Sequence, residues 1–121
     1  MQLFVTRDSV CAGDDGDAPH PRRFPASPSA TPLQAIETVL AARYLPSIAG
    51  GMATWVAASA VPLAVIAQQW PAPRMMPLSS RDRQRLDGEG DVLRLHFSYF
   101  AQHDPEQVLG MLGRLRLYAE A

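Results

Sequence analysis

Lysine is absent from the 121 residues, and all eleven basic side chains are arginine. This bias reads as the codon usage of a GC-rich genome, and eleven scattered arginines do not make a site. No charge of either sign is in excess: the formal net charge is −1. A general nucleic-acid binder would carry a basic surplus, so that class is set aside. Cys11 is the only cysteine. No internal disulfide can form, which fits a reducing compartment, and a cytoplasmic location is expected. The first residues, Met1 to Arg7, lack a charged leader followed by an apolar stretch, so no signal peptide is expected. No charged residue lies between Arg43 and Arg74, a length that could span a bilayer. However, Pro46, Gly50, Gly51, Pro62, Gln68 and Gln69 interrupt that window, and two buried strands explain it better. Phosphate loops, dinucleotide fingerprints, Gly-x-Ser-x-Gly elbows and His-Glu-x-x-His pairs are all missing.

The length suits one domain, residues 1–121, which on folding removes roughly two-thirds of the chain's surface from water. The 47% hydrophobic and 19% charged fractions are those of an ordinary globular chain, so no metal or disulfide is needed to hold it. Residues 2–6, β-branched and aromatic, predict a first strand. A polar loop follows from Arg7 to His20. A Pro-rich arm over 19–32 then holds five of the eleven prolines. Thr31, Pro32 and Gln34 form a capping box that starts a helix, with Leu33, Ile36, Leu40 and Tyr44 on one face; Pro46 ends it near Arg43 or Tyr44. Gly50-Gly51 is a turn. Residues 53–59 and 62–69 predict two strands around a short turn near Ala60-Val61. A long charged loop spans 71–91, with a helical turn between Ser79 and Leu86. In residues 92–100, Leu93, Leu95, Phe97 and Tyr99 alternate with Arg94, His96 and Ser98, the period of a strand. A last helix starts at Asp104-Pro105 and runs to about Tyr118, with Val108, Leu109, Met111, Leu112 and Leu115 expected to face the core. The order β-α-β-β-β-α predicts an α+β two-layer domain: about four largely antiparallel strands with both helices on one face.

Chemistry concentrates in the N-terminal loop. Residues 1–20 carry four aspartates (Asp8, Asp14, Asp15, Asp17) and one arginine. One reading is a metal site on Asp14, Asp15, Asp17 and His20. The spacing does not follow the calcium-loop pattern, and one cysteine with one nearby histidine is thin for zinc, so no metal or cofactor is expected. A second reading is a small enzyme centred on Cys11, Asp14 and His20, with a thiolate activated by a histidine; an acidic loop works against that thiolate. A third is recognition: a firmly rooted acidic loop offers carboxylates to a basic protein surface, which speeds association and rejects wrong partners. Asp8, Asp14, Asp15, Asp17 and His20 would then make polar contacts, and Trp70, Met75 and Met76 the apolar ones. Asp and Gly are also what plain solvated turns use. The run Arg81-Asp82-Arg83-Gln84-Arg85 is diluted by its own acids and reads as solvated surface. Arg94, His96 and Ser98 line an open sheet face, a candidate binding or oligomer face.

Three blocks add a resemblance: Val5-Thr6-Arg7-Asp8-Ser9-Val10-Cys11-Ala12-Gly13-Asp14-Asp15 with Asp17-Ala18-Pro19-His20; Tyr44-Leu45-Pro46-Ser47-Ile48-Ala49-Gly50-Gly51 with Ala53-Thr54-Trp55; and Ala64-Val65-Ile66-Ala67-Gln68-Gln69-Trp70. Together they resemble small bacterial proteins of the toxin-immunity type. The resemblance implies cytosolic residence, tight one-to-one binding of a toxin domain and no catalysis. It carries over no site residues.

Overall fold

The computed structural model describes residues 1–10 and 18–120, without the side chains of 116–120. Cys11, Asp14, Asp15 and Asp17 lie outside the described residues. In chain order the elements are β1 (Gln2–Arg7), β2 (Arg22–Pro25), α1 (Pro32–Ala41), β3 (Thr54–Ser59), β4 (Val61–Ala67), β5 (Arg74–Met75), α2 (Ser80–Gln84), β6 (Gly88–Glu89), β7 (Val92–Tyr99) and α3 (Pro105–Glu120). The class is α+β, as expected, but the sheet has seven strands rather than about four. Their order is β2-β1-β7-β3-β4-β5, with β6 also pairing with β7. β1 and β7 run parallel in register, Thr6 beside His96 and Arg7 beside Phe97. The other pairings are antiparallel.

The additional strands come from segments read as loops. The Pro-rich arm contributes β2, an edge strand on β1, where a proline costs no central ladder bond; Phe24 is buried there. The charged loop contributes β5, α2 and β6. In α2, Ser79 and Asp82 cap each other: the Ser79 N–H donates to Asp82 Oδ2 (2.9 Å) and the Asp82 N–H to Ser79 Oγ (3.1 Å). Asp82 is thereby buried, while Arg81, Arg83 and Arg85 stay exposed.

The first helix starts as the sequence predicts. The Gln34 N–H donates to Thr31 Oγ1 (3.2 Å) and the Thr31 N–H to Gln34 Oε1 (2.9 Å). It stops at Ala41, two residues early, because Arg43 turns left-handed (φ 57°) and its N–H closes on the Leu40 carbonyl at 3.0 Å. The turn at Gly50-Gly51 needs glycine, with φ of 94° and 68°. Between β3 and β4 the hairpin closes on Ala60, at φ 61°.

The two long helices lie on opposite faces of the sheet, not on one. Ala35, Ile36 and Val39 of α1 pack with Leu3, Val5, Trp55, Ala57, Leu95 and Phe97. Val108 and Leu112 of α3 pack with Val56, Val65 and Met76. Val56 lies between Trp55 and Ala57 in β3, and successive strand side chains point to opposite faces, so the second cluster lies across the sheet from the first. α3 covers only part of its face: it packs on β4, and Met111 and Leu115, expected in the core, are exposed. The part of this face formed by β1 and β7 presents Phe4, Thr6, Arg94, His96 and Ser98, all half-buried.

Candidate functional site

β1 alternates cleanly: Leu3, Val5 and Arg7 are buried on the α1 side, while Phe4 and Thr6 face the other way. Arg7 is an unusual end to an apolar row. Its guanidinium lies 5.6 Å from the centre of the Tyr44 ring, and its Nη1 donates to the Asp8 carbonyl at 3.0 Å. The long stem packs while the charged head finds an aromatic face and an oxygen.

At the carboxyl end of the parallel pair, the chain leaving β1 is fastened to β7. The Asp8 N–H donates to the Phe97 carbonyl (3.0 Å). The Tyr99 N–H donates to Asp8 Oδ2 (2.9 Å), and the other carboxylate oxygen sits 3.0 Å from His96 Nε2. His96 Nδ1 in turn lies 2.7 Å from Thr6 Oγ1. The far end of the loop is tied to the same place. The Arg7 N–H donates to the Pro19 carbonyl (2.9 Å), and Ser9 Oγ lies 3.0 Å from His20 Nε2. The buried Tyr44 hydroxyl donates to the His20 carbonyl. His20 adopts φ 51°, turning the chain back toward β2. Both roots of the segment 8–20 are therefore held by hydrogen bonds to β7, to Tyr44 and to each other.

Beside this root, a cleft of about 450 Å³ opens between the segment after β7 and α3. Tyr99, Phe100, Ala101, His103, Asp104, Gln107, Val108 and Met111 line it. The Glu106 N–H donates to Asp104 Oδ1 (3.1 Å), so Asp104 caps α3 as its sequence position predicts. Tyr99 links the two features through the backbone: its N–H holds Asp8 and the chain then runs into the cleft, while its ring packs on Trp55 (centroids 4.8 Å apart) on the α1 side.

The residues singled out in the sequence fall into two groups. Asp8 and His20 meet at the loop root. Trp70, Met75 and Met76 do not join them; β5 lies four strand spacings from β1, roughly 19 Å across the sheet. Trp70 is half-buried, with the Arg74 guanidinium 4.2 Å above its ring and Arg74 paired to Glu106 at 2.7 Å. That stack ties the β4–β5 turn to α3. Met75 packs against the α1-side core. Met76 is buried in the α3-side cluster, where it supports the helix and is out of a partner's reach. The sequence reading missed the cleft and the partnership of Thr6, His96 and Asp8. For His96 there was a signal, its place on the polar face of its strand. For the cleft there was only the pair of aromatics, Tyr99-Phe100, before the helix cap.

Among the described residues no group of three or more His, Cys, Asp or Glu side chains is placed to hold a metal ion. None of the helices among them is long and apolar enough to cross a membrane. Comparison with known protein families, with curated proteins and with solved structures finds no match to this chain.

Proposed function

We propose that this protein is a protein-binding module, an immunity-type inhibitor that neutralises a bacterial toxin domain in the cytoplasm by direct contact. The observation that carries this reading is the double fastening of the acidic loop. Asp8 joins the loop root to the Tyr99 backbone, where β7 ends and the chain enters an apolar cleft. A loop held at both ends loses less conformational freedom on binding than a free one, so more of its contact energy appears as affinity. Asp14, Asp15 and Asp17, carried by that loop, supply negative charge for a basic surface, and the cleft beside it takes an apolar anchor. The resemblance to toxin-immunity proteins points the same way, and this mode of action requires no cofactor.

The test compares the wild type with a variant in which Asp14, Asp15 and Asp17 are all changed to Asn. Both are used to capture partners from a lysate of the source organism. One stoichiometric protein held by the wild type and lost by the variant, at unchanged melting temperature, supports the reading. Equal capture by both proteins, or by neither, contradicts it.

A further inference from the structure

The chain Thr6–His96–Asp8 has a second property, independent of the binding reading. Asp8 as a carboxylate has no hydrogen to give, so the proton in its 3.0 Å bond to His96 belongs to Nε2. In the neutral ring Nδ1 is then the acceptor, and the 2.7 Å contact is a hydrogen bond from the Thr6 hydroxyl to a basic nitrogen. A hydroxyl within hydrogen-bond reach of a base, with the base oriented by a third group, is the arrangement that activates an oxygen nucleophile. Thr6 and Asp8 flank Arg7 at the end of β1, His96 comes from a strand some 90 residues later, and the parallel register of β1 and β7 brings them together. They stand near the end of the parallel pairing, which closes one residue beyond Thr6 and His96, at Arg7 and Phe97.

The surroundings leave room for a reagent. The side chains of His96 and Asp8 are 41% and 45% exposed. β2 pairs with β1 as far as Val5, and the chain before it is bonded to the Arg7 N–H through the Pro19 carbonyl, so residues 19–21 border Thr6 on that edge and leave the polar face of the sheet as its open side. On the other side of His96 the strand neighbour is Ala58, a single methyl. α3 packs on β4, away from β1.

We propose that Thr6 is an activated nucleophile that accepts an acyl group from small activated esters or thioesters. Thr6 Oγ1 attacks the carbonyl carbon and forms the new C–O bond while His96 Nδ1 takes the hydroxyl proton. The bond to the leaving oxygen or sulfur breaks, and the leaving group departs with that proton. The products are an acyl ester on Thr6 and a free alcohol or thiol, with His96 neutral again.

The experiment treats the full chain with p-nitrophenyl acetate at neutral pH, follows nitrophenolate release, and maps the acetyl group by peptide mass spectrometry. Thr6 is expected to carry one acetyl group. Thr6→Ser should remain acetylated at position 6, and Thr6→Val should not. His96→Gln should slow labelling at position 6 by about 100-fold or more, the usual contribution of a general base. Circular dichroism on each variant separates loss of the nucleophile from loss of the fold, and Thr6→Ser keeps the test open if Thr6→Val unfolds. Acetyl found only on other residues, or equal rates at Thr6 with and without His96, overturns the proposal.

Discussion

The two faces of the sheet are built on different principles. On the α1 side, Leu3, Val5, Trp55, Leu95 and Phe97 are almost wholly buried, and apolar burial holds the layer together. On the opposite face α3 covers a smaller apolar cluster on β3 and β4, and the β1–β7 part is polar and half-exposed, organised by hydrogen bonds around Asp8 and His96. A packed face supplies stability, and a polar face fixes direction. The acidic loop leaves from the boundary between them, with Arg7 on the packed side and Asp8 fastened to the polar side.

This contrast can be broken in a graded way. Phe97→Ala, at the centre of the α1-side core, should destabilise the protein by about 4 kcal/mol in denaturant unfolding, because it removes a large ring and leaves a cavity. Leu112→Ala on the α3 side should cost less, about 2 kcal/mol, since that cluster is smaller and closer to solvent. Asp8→Ala should cost about 1 kcal/mol by the same measurement: its hydrogen bonds are half-exposed, and water can replace part of them. Its larger effect should appear locally, as faster proteolysis between residues 8 and 20 with the core intact. Thr31→Ala, which removes only the helix cap, should also lie near 1 kcal/mol and leave that segment's proteolysis unchanged. If Asp8→Ala instead matched Phe97→Ala in global cost, the division between the two faces would be wrong.

The sequence made much of this legible, and the gaps have physical causes. The capping box at Thr31, the glycine turn and the alternation of β7 were readable because each is a local pattern. β2 was hidden: Arg22-Arg23-Phe24-Pro25 is too short for a period and sits among prolines that are tolerated only because it is an edge. β5 and β6, two residues each, have no pattern at all. The placement of the helices on opposite faces had a trace in β3, which is buried at Trp55, Val56 and Ala57 in succession, as a strand covered on both faces should be. Asp8 and His20 were readable as members of one loop. The link from Asp8 to His96 was not, because it depends on β1 pairing in parallel with a strand 90 residues later, and parallel pairing leaves no short-range mark in sequence.

The most direct test of the account is amide hydrogen exchange at Tyr99, whose N–H is bonded to the Asp8 carboxylate. The account predicts a protected Tyr99 amide in the wild type and fast exchange in Asp8→Ala, with the Val65 amide in β4 equally slow in both. A Tyr99 amide that exchanges in the wild type as fast as an open loop, or that is unchanged by Asp8→Ala, would contradict the claim that Asp8 fastens the acidic loop to the sheet.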